Sequence, residues 1–429
     1  MSLISKSFRR AANAYKFRRF AAAYRGATST ISGSNAFSRL DRSSMAVSSL
    51  SWRADRPSAV NVVLPEMRPD AVFAGVKTAL EVACTIAQEA SLPLRLISLG
   101  DAVRPSDRPA MARYLNEEFR FDSDFTMIGG TQLVKSEVGT DDLWLATHWT
   151  TAHSIDVACR LGLISNARVI YLIQDYEPGF YPWSTQFALA RSTYHAGFTS
   201  LVNSTLLAHY LRDEESVDID PESVFGPSLD LTRLRSSSET RKPSAVPRLF
   251  FYARPSKPRN LFDIGVSALT LVAQELERRG IDATFVSAGE QHADVELSST
   301  HRLHSLGKLV WGEYFDILAT SDIVLSLQHS PHPSHPPLDA VCSGAIAVTN
   351  ELGGTRAGLD ERLFVAQPEP QALANEILRA IDTTMSAPPA PFSEKVLSGL
   401  GGPLPAAVRH VLRGVEESYT STRGCGNSK

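Results

Sequence analysis

From Val60 onward, short β-branched runs alternate with stretches whose apolar residues recur every three to four positions. That alternation is the pattern of strands and helices wound in turn about a parallel sheet. Buried strands are expected at Val60 to Leu64, Leu94 to Ser98, Leu143 to Thr147, Val169 to Ile173 and Phe198 to Val202. Between the first two, Val76, Ala79, Leu80, Ala83, Cys84 and Ala87 share a helical face after a loop holding Gly75. A polar, proline-bearing stretch from Ser236 to Pro247 reads as an interdomain linker. A second series follows, with strands expected at Leu249 to Ala253, Thr284 to Ser287, Ile323 to Leu327, Ala345 to Thr349 and Leu363 to Ala366. Asp263 is placed to cap a helix whose apolar face is Ile264, Ala268, Leu271, Val272 and Leu276, with Gly280 as its stop. The expected architecture is therefore α/β: two doubly wound, Rossmann-like domains, over residues 53–243 and 244–404, facing each other across a cleft.

Residues 1–52 break this pattern. Phe8, Tyr15, Phe17 and Phe20 alternate with Arg9, Arg10, Lys16, Arg18 and Arg19, and a serine-rich stretch follows from Thr28 to Ser51. A basic amphipathic segment on an anionic membrane surface and a solvated arm both fit.

Composition narrows the classes. At 429 residues with 43% apolar and 21% charged residues, the chain has the make-up of a globular protein of two domains. The 43 basic against 46 acidic side chains leave a formal charge of -3. Such a balance argues against nucleic acid as a partner, because that binding rests on many phosphate neutralisations. Cys84, Cys159, Cys342 and Cys425 are widely spaced, so neither a disulfide framework nor a zinc module is suggested. No run reaches the roughly 18 apolar residues of a membrane helix, and no signal-type apolar region opens the chain. A cytoplasmic protein is expected, peripheral to the inner face of the cell membrane if the arm binds lipid.

Three segments carry candidate chemistry. Phe251-Tyr-Ala-Arg254-Pro-Ser-Lys257-Pro-Arg259-Asn260 leaves a buried strand and enters a helix, placing three cations within six residues. Helix starts favour anions, and an arginine fork can hold two phosphate oxygens, so a diphosphate is the expected guest. Lys308 follows a further expected strand. Ser330-Pro-His332-Pro-Ser-His335-Pro-Pro-Leu-Asp339 is expected to run extended before Pro337, with Asp339 opening the next helix and placed either to favour its dipole or to accept from a ribose hydroxyl. His329, His332 and His335 share a spacing of three, yet on a polyproline path they would stand roughly 9 Å apart, so no metal site is expected. In the first domain, Tyr171-Leu-Ile-Gln174-Asp175-Tyr176-Glu177-Pro178-Gly-Phe180-Tyr181-Pro-Trp183 leaves a strand and sets four aromatics past it, Tyr176, Phe180, Tyr181 and Trp183, beside two carboxylates, the surface a sugar needs. Thr147-His148-Trp149-Thr150-Thr151-Ala152-His153 also follows a strand end.

With D-L-W-L-A-T-H-W-T-T-A, these segments resemble bacterial GT-B glycosyltransferases of the rhamnosyltransferase type, related to retaining family 4, from about Val60 to Thr384. The resemblance implies that Arg254 holds the donor diphosphate, Arg259 is a second phosphate cation, Lys308 a third, Asp339 a ribose carboxylate, and Asp175 an acid on the acceptor side. It also implies a helix over about 405–420 returning to the first domain, retention at the anomeric carbon, and a thymidine-diphosphate rhamnose donor. The expected partners are a nucleotide sugar and a lipid-linked or polysaccharide acceptor, with no cofactor and no metal. Asp339 is one methylene shorter than the family's glutamate, and Pro331 stands where the family has a second acid. Asp175 is left to orient the acceptor or take its proton. A nicotinamide-dependent oxidoreductase would need G-x-G-x-x-G after the first strand, and Val60 to Val76 has none. The alternative is a non-catalytic glycan-binding or assembly subunit with the same fold.

Overall fold

A computed structural model describes residues 43–67, 74–100, 102–242, 244–332 and 334–426. The aromatic and basic part of the expected arm, 1–42, lies outside the described residues. Two seven-stranded sheets organise the chain. The first runs, edge to edge, Phe125–Gly129, Leu94–Ser98, Val60–Leu64, Leu143–Ala146, Val169–Ile173, Thr199–Asn203 and Val224–Phe225, and all its pairings are parallel. Its central strands are buried on both faces, which is why they read as unbroken apolar runs. Phe125–Gly129 is an edge strand buried only at its two ends, so its sequence carries no such run.

The second sheet runs Val295–Glu296, Arg302–Ser305, Thr284–Gly289, Arg248–Ala253, Ile323–Ser326, Ile346–Asn350 and Leu363–Ala366. Only the first pair of these is antiparallel. On one face, the helices Phe262–Arg279 and Pro370–Ser386 bury Leu269, Val272, Leu276, Leu373 and Ile377 against Phe251, Phe285 and Leu325. Gly280 ends the first of these helices at φ +65°, as its sequence predicts.

Three boundaries differ from expectation. The arm does not extend to residue 52: Val47 and Leu50 are buried in the first core, and the Val47 amide donates to Ser154 Oγ at 3.2 Å. Alternating small and apolar residues there are enough to seal one side of the helix Trp149–Arg160. The expected linker is partly a helix, Leu231–Thr240, whose Leu234 packs with Phe315, Leu318 and Val341 of the second domain. Just past it, Arg241 is buried and donates to the carbonyl of Leu318 at 2.9 Å. The first domain therefore ends before residue 231. Finally, the helix after Ile323–Ser326 starts at His335, with Asp339 in its interior. Pro336 and Pro337 occupy its first turn, where the amide that proline lacks has no helical partner to lose.

The last helix, Leu404–Gly426, crosses back to the first domain. Val408, Val411 and Val415 are buried with the helix Ala74–Ala90 in the first core, and Arg409 Nη1 reaches Glu89 Oε1 at 2.7 Å. On the way, the Thr205 amide donates to Leu400 O and the Gly226 amide to Gly402 O, each at 3.0 Å. No described helix is long and apolar enough to cross a membrane.

Candidate active site between the domains

Carboxyl ends of parallel strands present loops whose polar groups no strand partner satisfies, and ligands bind there in open α/β sheets. In the second domain, the loop after Arg248–Ala253 carries Arg254, whose Nε lies 3.4 Å from Glu290 Oε1. Glu290 also accepts from the amide and hydroxyl of Ser256, at 2.9 and 2.8 Å. Burial pushes the Glu290 pKa up, but the Ser256 bonds and Arg254 outweigh it and hold this carboxyl below its ordinary range. Gly289 makes this packing possible: at φ +134°, a Cβ there would stand 2.5 Å from Ala253 O. Its amide donates to Gly307 O at 2.9 Å, which brings the loop of Lys308 beside that of Arg254. Lys308 itself is exposed.

Arg259 takes a different direction. Its guanidinium lies 4.1 Å from the centre of the Phe180 ring in the first domain, and its charge acts on both Asp175 and Glu177. Its Nε is buried and has no hydrogen-bond partner. The Arg259 carbonyl accepts from the His329 amide at 2.6 Å, tying the cationic loop to the loop of Ser330.

Asp175 follows Val169–Ile173 and meets the second domain directly: Ser330 Oγ donates to Asp175 Oδ1. The Tyr176 amide donates to the same oxygen at 2.8 Å. Burial raises the Asp175 pKa, while Ser330, Arg259, the Tyr176 amide and Arg356 oppose the rise. Two residues on, Glu177 is buried, accepting from the Trp149 amide at 2.5 Å and from Tyr171 Oη at 3.3 Å. Burial, with Asp175 nearby, lifts its pKa to about 8. Glu177 Oε1 stands 3.8 Å from His148 Nε2, and burial holds that imidazole down at about 4. His148 caps the helix Trp149–Arg160, its Nδ1 accepting from the Thr150 amide at 3.3 Å. Tyr194 Oη ties this corner together, accepting from the Glu177 amide at 3.0 Å and donating to Asp175 O at 3.1 Å. At the outer end of the segment, Trp183 is 90% exposed and stacks on Phe187 with ring centres 5.0 Å apart.

Asp339 is buried and accepts from Tyr314 Oη at 2.8 Å. Burial raises its pKa to about 7, against the tyrosine bond that lowers it. His332 and His335 have ring centres 6.2 Å apart, and no cluster of three metal-ligating side chains occurs among the described residues.

Asp175, Arg259 and the Ser330 loop thus come together at the domain boundary, while Arg254 and Lys308 stand on neighbouring loops of the second sheet. Glu177, one of the two carboxylates of the aromatic segment, is given no role of its own by the sequence, and Arg356 is not singled out there at all. The adjacency of Glu177 to Asp175 was the available signal; Arg356 had none beyond a cation in a glycine-rich turn.

Two Rossmann-like parallel-sheet domains, with strand carboxyl ends meeting at a shared cleft, give this protein the GT-B fold. Residues 59–204 match the profile of the WsaF N-terminal domain, and residues 247–378 that of the WsaF C-terminal domain. Those two matches together span more than half of the chain and follow the order of the two WsaF domains. Over 242 residues it is 29% identical to the O-antigen biosynthesis protein RfbC of Myxococcus xanthus, covering 56% of this chain and 18% of that protein. The chain thus spans less than a fifth of the length of this curated relative. Among solved structures, apo OtsA aligns at 10% identity and a TM-score of 0.51, over 85% of this chain and 99% of its own. A sucrose-phosphate synthase from Thermosynechococcus elongatus aligns at 10% identity and a TM-score of 0.49, over 87% of this chain and all of its own.

Proposed function

We propose that this protein is a glycosyltransferase of surface-glycan synthesis, transferring L-rhamnose from thymidine-diphosphate rhamnose to a growing lipid-linked or polysaccharide acceptor with retention. The observation that carries the reading is the meeting of Asp175, on the aromatic-rich edge of the first domain, with Ser330 and Arg259 of the cation-bearing second domain. The kinship with an O-antigen biosynthesis protein supports a glycan product.

In this reading the second domain holds the donor and the first the acceptor. Transfer breaks the bond between the anomeric carbon and the diphosphate oxygen and makes one to an acceptor hydroxyl oxygen. Negative charge collects on the departing diphosphate, where Arg254, Arg259 and Lys308 act on the transition state and take the part of a metal ion. Asp339 serves the ribose. The acceptor's proton leaves as its oxygen attacks: either Asp175 takes it, or Asp175 orients the hydroxyl and the departing diphosphate oxygen takes it; a carboxylate made more basic by burial suits the first role. Trp183 offers an open ring face on which a sugar's C–H face can stack. Residues 1–42 would rest on the inner face of the membrane, near a lipid-linked acceptor.

Thermal unfolding with nucleoside diphosphates tests the donor site. Thymidine diphosphate at 100 times its dissociation constant adds about 2.7 kcal/mol of stability. An unfolding temperature that no nucleoside diphosphate moves, at millimolar concentration, contradicts the reading.

A further inference from the structure

Arg356, on the loop after Ile346–Asn350, is 1% exposed. Nearby, Glu351 accepts from the amides of Leu352, Arg356 and Ala357, at 2.7, 3.2 and 3.0 Å. The guanidinium turns instead to carbonyls. Nη1 donates to Asn350 O, and Nη2 to Gln328 O at 2.9 Å, Ser330 O at 2.5 Å and His332 O at 3.3 Å. Nε is buried with no partner at all.

A buried cation without a hydrogen-bonded carboxylate costs far more than an apolar filler of the same volume. A loop that needed only to be packed would not require one. The three carbonyls on Nη2 all belong to the segment that hands Ser330 Oγ to Asp175, and the His332 amide donates back to that same Oγ at 3.2 Å. The Arg356 charge also reaches Asp175, and the two attract.

We propose that Arg356 is a positioning residue for the transfer step: it grips the carbonyls of Gln328, Ser330 and His332, so that the Ser330 hydroxyl meets Asp175 across the cleft with a fixed positive charge behind it. This rests on Asp175 being the acceptor-side carboxylate. The other groups facing Asp175 are Arg259, which attracts it, Glu177, which repels it, and the Tyr176 amide, which donates to its carboxylate; the Tyr194 hydroxyl donates to its main-chain carbonyl. Removing the Arg356 charge makes Asp175 harder to ionise, because one of two attracting cations is gone.

The test compares Arg356→Met, Arg356→Lys and Ser330→Ala in the full chain. Arg356→Met, folded by circular dichroism, loses about tenfold or more in kcat with donor KM held within about threefold, and the acidic limb of its kcat–pH profile moves to higher pH. Arg356→Lys keeps the limb near its wild-type position and recovers part of kcat, because a point charge cannot grip all the carbonyls. Ser330→Ala lowers kcat with the same unchanged donor KM. A folded Arg356→Met with an unmoved limb, or with donor KM rising as fast as kcat falls, overturns the proposal. Should Arg356→Met not fold, Arg356→Lys and Ser330→Ala decide on the same readouts. A second measurement needs no turnover: denaturant midpoints of Arg356→Lys, Asp175→Asn and the double variant. The proposal predicts that the single effects do not add, and additive effects overturn it. Non-additive midpoints in a protein that transfers no sugar would instead contradict the glycosyltransferase reading while leaving the coupling of Arg356 to Asp175 standing.

Discussion

Ser330 of the second domain donates its hydroxyl hydrogen to Asp175 of the first, joining residues 155 positions apart in the chain. Beside it, the Arg259 guanidinium stacks on Phe180. The expected acceptor carboxylate is therefore held by groups from the opposite domain, which gives the two sides of the cleft different kinetic signatures.

Arg254→Ala lowers turnover by about 100-fold to 1000-fold, the range for one lost transition-state donor. Arg254→Lys rescues in part, since an ammonium cannot offer a two-pronged grip. Steady-state kinetics at saturating donor checks both. Activity of both wild type and variants survives a chelator; turnover restored by one divalent ion would contradict metal-independent transfer.

Glu177 and Asp339 are carboxyls whose pKa values rise on folding, to about 8 and about 7. The folded state then holds protons that the unfolded chain has released, so these groups lower stability as pH rises from the ordinary carboxyl range to those values. His148, His332 and His335 fall to about 4 and do the opposite between pH 4 and 6.5. From pH 6.5 to 8 the two carboxyls outweigh the last of the histidine titration, so stability drops over that window, with Glu177 contributing about 2 kcal/mol. Glu177→Gln flattens that part of the curve in denaturant titrations. A variant with the wild-type slope would show Glu177 already ionised at pH 6.5.

Much of the core was legible because strands buried on both faces must be apolar throughout, as Val60–Leu64 and Val169–Ile173 are. The helix Leu231–Thr240 was not, since only Leu231 and Leu234 supply an apolar stripe and the rest resembles a linker. Of the site, the cations and Asp175 stood out by their placement after strands. The contact of Ser330 with Asp175 depends on how two domains meet, and the carbonyl grip of Arg356 depends on a loop path; neither leaves a local pattern.

Asp142 offers a control remote from the reaction. It is fully buried, accepts from Arg95 Nη1 at 2.9 Å, Asn61 Nδ2 at 2.8 Å and the Ala59 amide at 2.9 Å. Asp142→Ala strands the buried Arg95 charge and costs about 3–5 kcal/mol in denaturant unfolding. Nucleotide affinity of the folded fraction stays at the wild-type value.

Residues 1–42 and Trp183 are the segments we propose to meet the acceptor. A chain beginning at residue 43 keeps Val47 and Leu50, folds, and turns over a water-soluble acceptor normally, but no longer co-sediments with anionic vesicles. Equal sedimentation of both forms removes the arm from the membrane. Trp183→Ala leaves stability unchanged, because the ring is exposed, and raises acceptor KM by about tenfold from the lost stacking. An unchanged acceptor KM would take Trp183 out of the sugar's path.

The most direct measurement is mass-spectrometric detection of sugar transfer by the full chain, with a panel of nucleotide sugars and oligosaccharide acceptors, run beside Asp175→Asn. The account predicts one added deoxyhexose per turnover from thymidine-diphosphate rhamnose, and none from Asp175→Asn even though calorimetry shows it binding the donor within a few-fold of wild type. Absence of product from every donor with the well-folded protein, or an Asp175→Asn variant that transfers at the wild-type rate, would contradict it.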